Sequence, residues 1–340
     1  MLPNIPRQLC CIVLGLAAAF SALPVAGQEA VSFALDWVVN GTHAGYFIAK
    51  DKGFYREAGL DVTISRGFGS GDTIKRVASG SAQIGVADTG AIIASRANDD
   101  IPVRIVAMIY DHATLGLIYL AESGIKAPKD LEGRAIGRTA SGASVNMFPG
   151  FLKANGIDRS KIREVVVDGA TFAPLLMSGQ VDAVLEQSIN IGKFRRTAAQ
   201  QGKTARAMSY ADFGLEAYGN ALIANPSTLR EKPEMVQRFV AATLKGVVYA
   251  FDNPDEAIAA LRKSNPEVDA AAAMDELVTL KEMDTNAALR KNGLGTIEIP
   301  RLEKTRDIVT EALSLKRKVS VEDIYAPGYL PKTPVVPGAK

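Results

Sequence analysis

Cysteine is nearly missing from this 340-residue chain: there are two, Cys10 and Cys11, both within the first dozen residues. Histidine is as scarce, with His43 and His112 alone, and tryptophan occurs once, as Trp37. Without other cysteines, the rest of the chain carries no disulfide framework, no thiolate nucleophile and no thiolate metal site. Two histidines without metal-ligand spacing to a partner argue against a metal centre. An excess of one charge is also lacking. The 39 basic and 37 acidic residues are interspersed, which leaves no electrostatic footprint for nucleic acid. Past the first 27 residues no run is long and apolar enough to cross a membrane.

What is present begins with an export pattern. Arg7 is the one charge before Glu29, Leu9 to Phe20 form an apolar run, and Pro24-Val25-Ala26-Gly27 supplies small residues for cleavage. This is the tripartite arrangement of a signal peptide, residues 1–27, with cleavage expected after Gly27 and Ala26 as second choice. The run is short for a span and a proline follows it, against an anchor. Cys10 and Cys11 start the run, too early for a lipoprotein site.

The length suggests two domains. Short apolar strands alternate with helical patterns, which predicts an α/β fold with mainly parallel strands. Expected strands are 31–35, 62–65, 84–87, 103–109, 116–121, 135–137, 164–167, 183–185 and 221–224. Helices are expected over 44–52, 72–79, 145–155, 172–178 and 191–201, then from Pro233 onward at 233–251, 254–263, 268–281 and 299–315. The tail from Ala326, rich in Pro and Gly, is expected to be loose at its end. One internal echo stands out. Strand 62–65, a loop, a helix, Ser79-Gly80 and strand 84–87 share their order with strand 165–167, a loop, a helix, Ser178-Gly179 and strand 183–185. This implies two similar lobes, with Asp88 and Glu186 at matching strand ends on opposite walls of a cleft, where ligands of open α/β sheets bind.

Candidate contact residues cluster at such strand ends. Trp37, in a polar turn with Asp36, Asn40 and His43, is either a core residue or a flat platform for a ring. His43 either makes local hydrogen bonds or contacts ligand. Ser70, in Gly69-Ser70-Gly71-Asp72-Thr73, and Thr139 and Ser141, in Thr139-Ala140-Ser141-Gly142, precede helices and either cap them or offer a polar-group site. Asp88, with Thr89 beside it, and Glu186 are either solvated or acceptors for ligand N–H groups. Phe213 and Tyr218 are packing residues or ligand walls.

The stretches Lys52-Gly53-Phe54-Tyr55 to Leu60-Asp61-Val62, Ser79-Gly80 to Gly85-Val86-Ala87, Ser123-Gly124-Ile125 to Ile136-Gly137, and Pro233-Glu234 to Lys245-Gly246 carry a resemblance over nearly the whole exported chain. It resembles the solute-binding proteins of the nitrate/sulfonate/taurine and thiamine-pyrimidine group, the SsuA/THI5-like or NMT1-like family. The resemblance implies a type II periplasmic binding fold: lobe 1 at 31–112 plus 219–330, lobe 2 at 113–218, joined by a two-crossing hinge. It also implies a monomeric periplasmic protein of an ABC importer, with permease and ATPase subunits as partners, no cofactor and no catalytic activity. Leu35-Asp36-Trp37, Asn40 and His43-Ala44-Gly45 look most like the branch that binds thiamine pyrimidine precursors. Its ligand would contact Asp36, Trp37, Asn40, His43, Ser70, Asp88, Thr89, Thr139, Ser141, Glu186 and Tyr218. The alternatives are a sulfonate, nitrate or aromatic carboxylate as ligand, a sensor role, or a pyrimidine-forming synthase. That enzyme needs a cofactor lysine and a donor histidine where this chain reads Ala87-Asp88-Thr89-Gly90-Ala91, and its cysteine-rich motif is missing too.

Overall fold

The computed structural model describes residues 27–140, 142–285 and 287–338, so residues 1–26 of the expected signal peptide lie outside it, as does Ser141. Ten strands form two five-stranded sheets. They are Glu29–Ala34 (β1), Leu60–Ser65 (β2), Ile84–Asp88 (β3), Arg104–Met108 (β4), Gly116–Leu120 (β5), Ala135–Arg138 (β6), Arg163–Val166 (β7), Ala183–Val184 (β8), Ala205–Ser209 (β9) and Asn220–Ala224 (β10). One sheet runs β2-β1-β3-β10-β4 and the other β7-β6-β8-β5-β9.

The two orders are the same pattern, as the internal echo implies. In each, four strands point one way and one is reversed: β10 is antiparallel to β3 and β4, and β5 to β8 and β9. The reversed strands are the ones the chain enters after passing between the sheets, over 109–115 and 210–219. These passages pair with each other, Gly219 N–H donating to Tyr110 O at 3.0 Å and Ala113 N–H to Ala217 O at 2.9 Å.

Among the elements that were not expected are one strand and one long helix. Strand β9, Ala-Arg-Ala-Met-Ser, is short and carries a charge, yet Ala205 and Met208 are buried, in apolar clusters on opposite faces of the sheet, while Arg206 is exposed. Helix Thr89–Asp99 begins Thr-Gly and contains Ile92-Ile93, a poor helical signal. Its start is fixed by the Asp88 carboxylate, which accepts the Ala91 N–H at 3.0 Å.

Helix Pro233–Asp252 lays an apolar stripe on the first sheet. Phe239 meets Phe33 edge-on at 5.1 Å and stacks on Tyr55 at 5.4 Å; burying one such side chain contributes about 1.5–3 kcal/mol. The next helices reach both sheets. Helix Ala270–Asp284 packs against Gly41–His43 on one side and residues 188–199 on the other, and helix Ile299–Ala312 packs against Thr89–Asp99 and Ala143–Ala154. The tail is not loose where it is described: Leu294 N–H donates to Val335 O, and Gly338 N–H to Asp252 Oδ2, both at 2.8 Å.

Candidate functional site

The loops that follow β1 and β2 are bound to each other. Gly67 N–H donates to Trp37 O at 2.9 Å, Gly69 N–H to Asp36 O at 2.8 Å, and the Thr73 hydroxyl to Leu35 O at 2.7 Å. Gly67 is required for this approach, since a Cβ there would stand 2.1 Å from Leu35 O. The result holds Trp37 out of the core, with 49% of its surface exposed. Of the two readings of Trp37, the core residue is the one the fold excludes.

Beneath it Asp36 is fixed from two sides. His43 Nε2 lies 3.0 Å from Asp36 Oδ1, and Asn220 Nδ2 donates to Oδ2 at 2.8 Å. The Asn40 N–H donates to His43 Nδ1 at 3.1 Å, so the ring proton sits on Nε2 and points at Asp36. His43 is fully buried, so its contribution is to orient Asp36. Asn40 spends its side-chain oxygen on Thr42, accepting from N–H at 3.1 Å and from Oγ1 at 2.7 Å.

Asp88 ends β3 within electrostatic reach of Asp36. Burial raises its carboxyl to about 6 from an ordinary 3.8, with the charge of Asp36 adding to the rise and hydrogen bonds from Ala91 and Gly90 opposing it. Ser70 accepts the Asp88 backbone N–H at 3.0 Å, tying the loop after β2 to the end of β3. Thr89 is enclosed instead of open to a ligand: fully buried, its hydroxyl donates to Gly219 O at 2.5 Å across to the second crossing.

Glu186 follows β8 in the other sheet and is half-buried; its Oε1 accepts from Gln187 N–H at 2.8 Å and Asn190 Nδ2 at 2.9 Å. Thr139, half-buried, follows β6 directly. Sequence reasoning missed Glu276, on helix Ala270–Asp284. Its Oε2 accepts the Gly41 N–H at 2.7 Å. Burial raises its pKa and Glu186 adds to the rise, while the Gly41 hydrogen bond, His43 and Lys193 oppose it. Glu276 is thus bound to the loop that carries His43 and lies within electrostatic reach of Glu186 on the other sheet. Its helix lies more than 200 residues beyond the Trp37 loop, so no local spacing announced it.

Tyr218 does not join this group. Buried, it accepts the Glu298 N–H at 3.0 Å and carries the Arg301 guanidinium 4.4 Å above its ring. It lines a separate cavity under the crossing segments, with Met108, Asp111, Leu294 and Arg301. Its aromatic ring is taken up by packing, as is that of Phe213, which lies partly buried against the core. Among the described residues no cluster of His, Cys, Asp and Glu is arranged to hold a metal ion, and no helix is long and apolar enough to cross a membrane.

Two sheets of this order define a periplasmic-binding-protein fold. The aliphatic sulphonate binding protein SsuA from Escherichia coli shares it, with a TM-score of 0.67 at 16% identity over 87% of this chain and 97% of that one. The chain belongs to the NMT1/THI5-like family, whose model matches residues 40–257. Relatives include a formylaminopyrimidine-binding protein from Halalkalibacterium halodurans, 28% identical over 70% of this chain and 72% of that protein. The riboflavin-binding protein RibY from Chloroflexus aurantiacus is 24% identical over 93% of this chain and 91% of its own length. The family also contains enzymes: a Saccharomyces cerevisiae 4-amino-5-hydroxymethyl-2-methylpyrimidine phosphate synthase is 26% identical over 67% of this chain and 69% of the yeast protein.

Proposed function

We propose that this protein is the periplasmic solute-binding component of an ABC importer. It acts as a monomer, exported by cleavage near Gly27, and delivers a small planar heteroaromatic solute, of the thiamine-pyrimidine-precursor kind, to a membrane permease driven by a cytoplasmic ATPase. The observation that carries this reading is a half-exposed indole, Trp37, set beside the fixed acceptor Asp36. A planar ring stacks on the indole while its amino or ring N–H groups donate to Asp36, Asp88 and Glu186. Ser70, Thr139 and Ser141 hold polar substituents. Ligand contacts to both sheets favour a closed form, with the hinge at the two crossings.

Two family ligand classes and one activity compete. Carboxylates on both walls repel a sulfonate, nitrate or aromatic carboxylate, which supports a donor-rich ligand. A synthase is disfavoured because Ala87 to Ala91, at the end of β3, holds neither lysine nor histidine. The binding relatives add support at the level of the family.

The test is a thermal-shift screen of the mature protein against aminopyrimidines, flavins, sulfonates, nitrate and aromatic acids, followed by titration of Trp37 fluorescence. A ligand that binds the native state alone raises Tm. A heteroaromatic shift abolished by Trp37→Ala supports the proposal. Shifts confined to anions overturn it.

A further inference from the structure

Three of the large apolar side chains that stand exposed share one place. Trp37, Val38 and Phe68 have 49%, 44% and 68% of their surfaces accessible, and all belong to the paired loops after β1 and β2. Phe68 lies between two pinned residues. Gly67 N–H is held by Trp37 O and Gly69 N–H by Asp36 O, so its backbone is fixed while its ring faces water. Gly69 itself borders the indole: a Cβ there would stand 3.7 Å from Trp37 Cζ3. The Arg66 guanidinium lies 4.6 Å from the Phe68 centroid and steadies the ring without covering it. A rigid loop that holds an aromatic ring in water gives up the gain of burying it, unless something arrives to cover it.

We propose that Phe68 is a ligand-contact residue that lengthens the Trp37 platform, so that the cleft selects a fused-ring heteroaromatic solute over a single ring. This rests on the heteroaromatic reading above and departs from it in one respect, a fused ring in place of the single pyrimidine ring. The indole alone is wide enough to cover one six-membered ring. Phe68, on the loop paired with that of the indole, and Val38, next to the indole in the chain, add exposed apolar surface to the same pair of loops. A matching solute is planar, longer than a pyrimidine, and carries its N–H donors at the end that enters first. The other use of such a patch is contact with the permease, and the experiment separates the two.

The probes are lumichrome, a fused tricycle with ring N–H donors, and 4-amino-2-methylpyrimidine, a single ring. Each is titrated against wild type, Phe68→Ala and Phe68→Tyr by Trp37 fluorescence and calorimetry, with far-UV circular dichroism as the check on folding. Phe68→Ala is expected to weaken lumichrome about tenfold, the loss of one stacking surface. Phe68→Tyr is expected to restore its affinity, and the pyrimidine to change by less than about twofold, since it stays on the indole. If wild type binds the pyrimidine and not lumichrome, or if Phe68→Ala changes neither titration, the Phe68 proposal is overturned and the heteroaromatic reading stands. If wild type binds neither probe nor any planar heteroaromatic of the screen, that reading falls and takes this proposal with it.

Discussion

His43 donates from Nε2 to Asp36 Oδ1 at 3.0 Å, and this one contact decides what Asp36 offers a ligand. With Asn220 on the other oxygen, both carboxylate oxygens are aimed and neither is free to rotate. Asp36→Asn breaks this on one side, because an amide nitrogen must then face either the His43 N–H or the Asn220 amide. The buried donor left without an acceptor costs about 1–3 kcal/mol. Urea unfolding is expected to show that loss, with ligand affinity falling as well. Equal stability of Asp36→Asn and wild type would mean that the pair does not hold the turn.

Asp88 yields a pH dependence of defined sign. Burial holds its folded-state carboxyl near 6 against an ordinary 3.8, so folding favours the neutral acid. The associated stability is fully present below the ordinary value and is lost as pH rises through about 6; at pH 8 the buried charge costs about 2–3 kcal/mol. Asp88→Asn keeps the helix cap and removes the charge. Denaturant midpoints at about pH 4.5 and about pH 8 should show the variant gaining on wild type at the higher pH, while its ligand affinity drops. A stability difference independent of pH would count against the buried titration.

Much of the frame was legible because its signals are local. Apolar runs at β1, β3 and β5 and the repeat of strand, loop, helix and Ser-Gly are readable along the chain, and they carry the two-sheet plan. Asp36, Trp37 and Asp88 stood out as candidates because each lies at or just past the end of a strand. Thr89 was named for its place just past β3 and Tyr218 for its place just before β10, where the chain returns between the sheets, and in both the side chain turns to packing instead of the cleft. Thr89 turns to Gly219 O and Tyr218 to Glu298 and Arg301. Glu276 was missed because its partner is Gly41, fixed by tertiary packing alone.

That packing can be tested at Gly41. A Cβ there would stand 1.9 Å from the carbonyl oxygen of Ala273, so helix Ala270–Asp284 approaches the loop closely only because residue 41 is glycine. Gly41→Ala must push helix and loop apart, at an overpacking cost of about 1–3 kcal/mol. The same shift pulls Glu276 from the Gly41 N–H. Stability and ligand affinity should fall together, even though the substituted position bears no ligand-contacting side chain. A variant that keeps wild-type Tm would show that the contact relaxes freely.

The same helix supplies a contact between the two walls that can be reversed by charge. Arg196, on helix Ile191–Ala199, pairs with Asp275 and lies 3.9 Å from Asp269, while Gly192 sits so close that a Cβ would be 2.5 Å from Asp275. Ile189 is buried in the same apolar cluster as Ala273 and Leu277. Asn190, next in the chain, holds Glu186, so this joint begins four residues from a proposed ligand acceptor. The ion pair is partly exposed and contributes no more than about 1 kcal/mol to stability, but an equilibrium between open and closed forms is sensitive at that scale. Arg196→Asp places like charges across the joint and should raise the radius of gyration of the ligand-free protein in small-angle scattering, with little loss in Tm. Pairing it with Asp275→Arg restores attraction and should return the wild-type radius. If the single reversal leaves the radius unchanged, the joint does not govern closure; if the double variant stays as open as the single one, the effect comes from lost packing rather than from charge.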